Sequence, residues 1–258
     1  MNIEKVKRAG IITIPSLFTI GNIGCGFFSI LSSVNGNFAK AGWLIFIAMF
    51  LDAFDGRVAR LLKAESPFGV EMDSLADLIS FCAAPAFLIY FFALKDIMVW
   101  GQAIAFMFVL FGAIRLAKFN VLANQGKGSK KYFSGLPTPA AAAVLVSFVL
   151  SYNIFLTDTN GHLLPVMKTY LPYIHNLIAF ITIALALLMV STIPYAAFKE
   201  KRSSSERRKA SLSKLVLIAI VLVLFFKYPQ DVIFIVFGLY ALFGVIMVLF
   251  RAFTKQEK

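Results

Sequence analysis

Long apolar runs broken by short polar stretches make up most of the chain. A helix that crosses a bilayer needs about 20 mainly apolar residues. Eight stretches have roughly that length: 11–34, 38–62, 68–94, 97–120, 136–156, 171–197, 212–228 and 230–251. They are too long and too evenly apolar for barrel strands, which need only about 10 residues and alternate in polarity. The pattern therefore predicts an all-α integral membrane protein of about eight transmembrane helices, built as a single membrane domain over residues 1–258. An even number of spans puts both ends on one side. The first apolar stretch has no Ala-x-Ala-like exit and reads as a retained helix. No internal repeat or mirrored half is visible, which counts against transporter folds built from repeats.

Composition sharpens this reading. Hydrophobic residues make up 60% of the chain and charged residues only 15%, against about 25% charged in soluble domains. That excludes a disordered chain, a coiled coil and an ordinary soluble enzyme. The net charge of +12 would suggest nucleic acid in a soluble protein. Here the basic residues lie in short loops between apolar spans, so anionic lipid headgroups and orientation explain them, and no nucleic-acid partner is expected. The N-terminus, 57–63, 115–131, 199–214 and the C-terminal tail hold 21 of the 25 Lys and Arg. The opposite loops hold only Lys40, Lys95, Lys168 and Lys227. Both termini should face the cytoplasm, in the cell's inner membrane. Cys25 and Cys82 sit in apolar spans and form no metal or disulfide pattern.

Four aspartates, Asp52, Asp55, Asp73 and Asp77, lie inside two apolar spans. Each ionised carboxylate in hydrocarbon costs at least about 2.5–3.5 kcal/mol. Four together make sense only around cations or a water-filled cavity. Asp52 and Asp55 are spaced i, i+3, and Gly56, Ala59 and Arg60 follow on the same helix face. On the next span Gly69, Asp73 and Asp77 recur every four residues. Ser66 and Pro67 form an N-cap and first-turn pair that restarts a helix after the hinge 63–68. The two carboxylate pairs then face each other at similar depth. Convergent carboxylates suit hard divalent ions, Mg²⁺, Mn²⁺ or Ca²⁺, up to two of them. With no His or Cys on these faces, zinc is not expected. Gly56, Ala59 and Gly69 remove bulk beside the ions, and Arg60 can pair with a phosphate or carboxylate.

The run Asp52-x₂-Asp55-Gly56-x₂-Ala59-Arg60-x₈-Gly69-x₃-Asp73-x₃-Asp77 resembles, at every fixed position, the signature of the CDP-alcohol phosphatidyltransferase family. The segments 14–30, 51–86, 114–121 and 132–143 look like its phosphatidylserine synthase branch, with Ser16 where that branch usually has Asn. The likeness covers roughly residues 11–145. It implies a membrane enzyme that moves the phosphatidyl group of CDP-diacylglycerol to an alcohol, here L-serine, and releases CMP. It implies that Asp52, Asp55, Asp73 and Asp77 hold the ions and that Asp77 is also the general base. It puts Gly56, Arg60 and Ser66 at nucleotide and diphosphate positions, and it implies a homodimer.

Other polar residues acquire expectations beside these. Thr19 and Asn22 share a face of the first span with Pro15 and could reach the cytidine. Arg115 and Lys118, spaced i, i+3 at the cytoplasmic end of the fourth span, could seat a substrate carboxylate. Asn120 could bond the serine amine or carboxylate. Other acceptors within the family (glycerol 3-phosphate, inositol phosphate, choline or an archaeal lipid) remain alternatives, as does a cation transporter. An acceptor phosphate should need more inward cations than the 115–118 pair, and a transporter leaves the Gly, Ala and Arg positions among the aspartates unexplained. The charge asymmetry makes one prediction directly: a reporter fused after Lys258 should be active only in the cytoplasm, and activity confined to the outer side would overturn the orientation.

Overall fold

The computed structural model describes the backbone of residues 3–62, 66–124, 132–157, 165–196 and 227–254. Side chains are described for 17–62, 66–97, 99–122, 134–153, 177–195 and 227–247. Helix α1 (Ile3–Val34) turns back into α2 (Phe38–Leu61). Gly36, at φ 76°, makes that reversal in the left-handed region that glycine adopts without strain. The third helix runs from Pro67 to Ile97 in several geometries. It begins as α3 (Pro67–Asp77), widens to a π turn (Leu78–Ala83) and continues as α4 (Ala84–Ile89). It closes with a second π turn (Tyr90–Leu94) and a short 3₁₀ turn. Helices α5 (Met98–Asn124), α6 (Thr138–Thr157), α7 (Pro165–Val190) and α8 (Pro229–Thr254) follow.

Among the described residues, four helices are long and apolar enough to cross a membrane: Leu17–Val34, Pro67–Ile97, Val99–Leu122 and Pro229–Met247. They coincide with the first, third, fourth and eighth expected spans. The second span is α2, a 24-residue helix whose last turns carry Asp52, Asp55, Arg57 and Arg60. The fifth and sixth expected spans coincide with α6 and α7, whose apolar described stretches, Thr138–Asn153 and Leu177–Val190, are shorter. The seventh expected span, 212–228, lies almost wholly outside the described residues, as does the basic run 199–209.

The sixth span requires a correction at its end. Helix α7 stops at Val190, and Pro194–Ala196 forms a strand, β2, rather than helix. Proline lacks a donor and pushes the residue before it toward extended backbone, so the helix cannot continue through Pro194. This strand pairs antiparallel with β1 (Tyr132–Ser134), with Phe133 opposite Tyr195. Gly135, at φ 82°, then lets its N–H donate to the Ile193 carbonyl, and Leu136 N–H donates to the Leu188 carbonyl. A Cβ at 135 would fall 2.3 Å from the Met189 carbonyl oxygen, so only glycine fits. The start of α6 is thereby fastened to the end of α7.

Helix α6 is the core element. Every residue from Ala140 to Leu150 is buried, and Ala141, Ala142, Ala143 and Val146 are wholly enclosed. A helix that is apolar all round belongs inside the bundle. Helices α1, α5 and α8 instead keep large apolar side chains exposed, among them Phe28, Phe106 and Leu239.

The π turn after Asp77 is gripped from two sides. Ala84 N–H bonds the Ile79 carbonyl, five residues back, just ahead of Pro85, whose ring cannot share a normal α-turn with the carbonyl four residues before it. On one side Gly26 of α1 packs so closely that a Cβ there would lie 2.4 Å from Ser80 Oγ and 3.0 Å from Ser80 Cα. On the other, a Cβ at Gly112 of α5 would lie 2.4 Å from Cys82 Sγ. Ser80 Oγ donates to the Asn22 carbonyl at 2.9 Å, fixing α1 to this turn. Gly26→Ala should therefore cost about 1–3 kcal/mol through overpacking and lower the Tm of the detergent-solubilised protein. Gly24→Ala, with nothing within 4 Å of the new methyl, should leave it unchanged. Equal Tm values for the two variants would contradict this packing.

Candidate active site

Asp77 is the last residue of α3, directly before the π turn, and Asp73 stands one helical turn earlier. Asp52 comes from α2. Their carboxylates converge, each offering an oxygen within 4.8 Å of the others, and all three are half-buried. Asp52 lies within hydrogen-bonding reach of both Asp73 and Asp77. One oxygen of Asp77, Oδ1, is fully enclosed and has no hydrogen-bond partner among the described residues.

Three carboxylates in mutual contact repel one another strongly where water is scarce. A buried oxygen without a donor costs about 1–3 kcal/mol more. A hard divalent cation removes both penalties, because it takes oxygen ligands and fills its remaining positions with water or substrate phosphate. The donor set of Asp52, Asp73 and Asp77 thus fits a Mg²⁺- or Mn²⁺-like ion. Cys82, nearby on the π turn, is not among the converging ligand atoms.

Asp55 takes a different position. It is buried, and the Thr19 hydroxyl of α1 donates to its carboxylate. Its charge is still felt at Asp52 and Asp73, so it belongs to the same electrostatic group. Thr19, expected near the nucleotide, is buried and occupied by this contact. Asn22, one turn further along α1, is wholly buried, and neither its amide nitrogen nor its oxygen has a partner among the described residues.

The small residues beside the carboxylates have separate reasons. A Cβ at Gly56 would meet nothing nearer than Arg60 Nη2 at 3.9 Å, so protein packing does not demand glycine there. Ala59 is half-buried on the same helix. Arg60 is exposed and lies back along α2, its Nε donating to the Gly56 carbonyl at 2.7 Å. Ser66 caps α3 as the spacing predicts, its Oγ accepting from Gly69 N–H at 3.0 Å with Pro67 in the first turn. A Cβ at Gly69 would sit 3.1 Å from that same oxygen.

The residues expected to bind serine separate in space. Arg115 is turned into the bundle, where Nη1 donates to Thr138 Oγ1 at 3.0 Å and the guanidinium stands 6.0 Å from the Phe119 ring. Its Nε is enclosed without a partner among the described residues. It lies close enough to Asp77 for the two charges to interact. Lys118, three residues on, is exposed. Asn120 Nδ2 donates to Ser74 Oγ at 2.9 Å, tying α5 to α3 between Asp73 and Asp77. Ser74 and Thr138 were not anticipated. Ser74 is a polar residue in the aspartate helix, and Thr138 opens α6 within the 132–143 segment, so each carried a weak signal.

Comparison with known proteins covers most of the chain. A family model for the CDP-alcohol phosphatidyltransferases matches residues 12–173. A CDP-diacylglycerol–serine O-phosphatidyltransferase of Helicobacter pylori (strain ATCC 700392 / 26695) is 38% identical over 239 residues, 92% of this chain and 91% of that protein. A Bacillus subtilis (strain 168) protein of the same name is 38% identical over 187 residues, 72% of this chain and 92% of its own. An archaetidylserine synthase of Methanothermobacter thermautotrophicus is 36% identical over 197 residues, 76% of this chain and 73% of the relative.

An ion held by three carboxylates should stabilise the fold by mass action, about 2.7 kcal/mol at a hundredfold excess over Kd. Mn²⁺ should therefore raise the Tm of the solubilised protein, and Asp73→Asn should abolish that rise while leaving the ion-free Tm equal or higher. An undiminished rise in the variant would remove Asp73 from the ligand set.

Proposed function

The chain belongs to the CDP-alcohol phosphatidyltransferase family, and from that premise we propose that it transfers the phosphatidyl group of CDP-diacylglycerol to the hydroxyl of L-serine. The products are phosphatidylserine and CMP. The observation that carries this reading is the convergence of Asp52, Asp73 and Asp77, with the half-buried Arg115 near enough for its charge to act on Asp77. It sets a carboxylate cluster next to a cation, which is what a metal-bridged diphosphate and a zwitterionic acceptor require. The serine phosphatidyltransferases and the archaetidylserine synthase among its relatives support the acceptor.

Each residue then has a role. Asp52, Asp73 and Asp77 hold Mg²⁺ or Mn²⁺, with Asp55 completing the acidic set and Thr19 orienting it. When bound, the ion neutralises charge on the diphosphate and on the departing CMP. Asp77 accepts the serine hydroxyl proton. The serine oxygen forms its bond to the β-phosphorus as the bond from that phosphorus to the CMP oxygen breaks. No separate nucleophile is needed, so one in-line displacement suffices. The gap over Gly56 admits the nucleotide end, with Arg60 and Ser66 at its mouth. Arg115 pairs with the serine carboxylate, for which a guanidinium offers two parallel donors. The site opens to the cytoplasm in an eight-span protein of a single domain that works as a homodimer.

The deciding experiment measures CMP release from CDP-diacylglycerol with a panel of alcohols. Serine should support turnover; ethanolamine, which lacks the carboxylate, and glycerol 3-phosphate should not. EDTA should stop the reaction, and Mn²⁺ or Mg²⁺ should restore it. Arg115→Lys should raise the serine KM by about tenfold or more, the equivalent of one charged hydrogen bond, and leave the CDP-diacylglycerol KM nearly unchanged. Turnover with glycerol 3-phosphate in place of serine would overturn the acceptor, and full turnover in EDTA would overturn the metal.

A further inference from the structure

The aspartate helix is held unevenly along its length. Beyond Asp77, the π turn buries Ser80, Phe81 and Cys82 and is gripped by Gly26 of α1 and Gly112 of α5. Before Asp77, α3 buries only Ala76, while Phe68, Val70 and Leu75 stay exposed. The cap at its start, Gly69 N–H to Ser66 Oγ, joins the helix to itself and to no neighbour. Apolar packing therefore fixes the helix on one side of Asp77 and holds it weakly on the other, where Asp73 stands.

Two serines flank Asp77, Ser74 one turn before it and Ser80 one turn after. Each is tied to a different helix. Ser80 Oγ donates to the Asn22 carbonyl of α1 at 2.9 Å. Ser74 Oγ accepts from Asn120 Nδ2 of α5 at 2.9 Å and donates to the Val70 carbonyl of its own helix at 3.1 Å. With donor and acceptor both engaged, the Ser74 hydroxyl is held in one rotamer. Asn120 thus grips α3 at its weakly packed end, between the two carboxylates. Asp52 faces those carboxylates from α2, so their mutual repulsion acts to part α2 from α3. Among helices in lipid, a polar tie fixes a position that apolar burial leaves undecided.

We propose that Asn120 is a positioning residue for the ion site: through Ser74 it holds Asp73 and Asp77 opposite Asp52, and so sets how tightly the three carboxylates take a divalent cation. Groups that orient metal ligands weaken ion affinity by about 10- to 100-fold when removed. Asn120 acts on the helix rather than on a carboxylate, which puts its effect at the low end. This role differs from the acceptor contact expected from its place in the sequence, because Nδ2 is committed to α3. The inference rests on the reading of Asp52, Asp73 and Asp77 as the ligands of the ion.

The test titrates Mn²⁺ into the solubilised full chain and reads the free ion by electron paramagnetic resonance, which requires no turnover. Asn120→Ala and Ser74→Ala should each raise the Mn²⁺ Kd about tenfold. Alanine is the stronger helix former, so Ser74→Ala keeps α3 intact. The double variant should bind no more weakly than either single one, because both remove the same contact. Ser74→Thr keeps the hydroxyl and should stay within about twofold of the native Kd. At saturating Mn²⁺, Asn120→Ala should leave the serine KM within about twofold of native, since the ion site is then filled. Native binding with an unchanged Kd in Asn120→Ala would overturn the proposal, as would single effects that multiply in the double variant. A serine KM that rises while the Kd stays put would make Asn120 an acceptor contact instead. The two readings fail separately. A native chain that binds no Mn²⁺ refutes the ion site, and this proposal with it; a native chain that binds Mn²⁺ while Asn120→Ala binds it equally well refutes the positioning role alone.

Discussion

Mutual repulsion among aspartates at the centre of an apolar bundle is the constraint to which the rest of the structure answers. Asp52, Asp73 and Asp77 bring oxygens within 4.8 Å of one another, while Asp55 stands close by on the same helix as Asp52. In a low-dielectric interior such a group cannot remain fully ionised without a cation. The chain offers only part of the compensation. Thr19 donates to Asp55, and Arg115 stands near enough for its charge to act on Asp77. One oxygen of Asp77, both polar atoms of Asn22 and the Nε of Arg115 remain enclosed without partners among the described residues. Native proteins leave few such atoms unsatisfied. Here they come from three helices that meet around one site, the arrangement expected where ligands supply the missing contacts.

Holding the carboxylates together falls to the turn that follows them. A π turn displaces the helix register by one residue, so the face that carries Asp73 and Asp77 ends at Asp77. Side chains beyond it point elsewhere, and Ser80 and Cys82 become packing contacts for Gly26 and Gly112. The two glycines bring the backbones of α1 and α5 against this turn, which fixes the height of the aspartate helix relative to its neighbours. Asn120, bonded to Ser74 between the two aspartates, adds a polar tie from α5. Small residues and side-chain hydrogen bonds are the usual means of joining helices in lipid, where apolar burial gives no preference for one partner over another.

The C-terminal part of the chain enters the site by an indirect route. The β1–β2 pair and Gly135 fasten the start of α6 to the end of α7. That junction places Thr138 where it receives Arg115 and Tyr195 where it receives α8. The Arg115 guanidinium is thus braced by α6, whose start is itself set by the strand pair and the end of α7. The same arrangement explains why Arg115 and Lys118, though three residues apart on one helix, part company. Arg115 finds an acceptor in Thr138 and turns inward, and Lys118 has none there and stays exposed.

Much of this was legible in the residues themselves. Spans of apolar residues follow from the cost of leaving backbone polar groups in hydrocarbon, and the aspartate spacing follows from the 3.6-residue period, both local properties that a sequence displays directly. The cap at Ser66 and Pro67 was equally local, and it formed as its residue types dictate. The non-local contacts were not legible. Nothing in the spacing of Asp52 and Asp55 says that one joins Asp73 and Asp77 while the other meets Thr19, because that depends on how α1 crosses α2. Nothing in the run 171–197 shows that its end becomes a strand, because β2 exists only where β1 is brought beside it. Residue order alone dictated that carboxylates would stand inside a membrane helix bundle. Which of them meet, and which cation faces them, followed from close backbone contacts at glycines and from hydrogen bonds between distant segments, whose partners are chosen only when the helices pack.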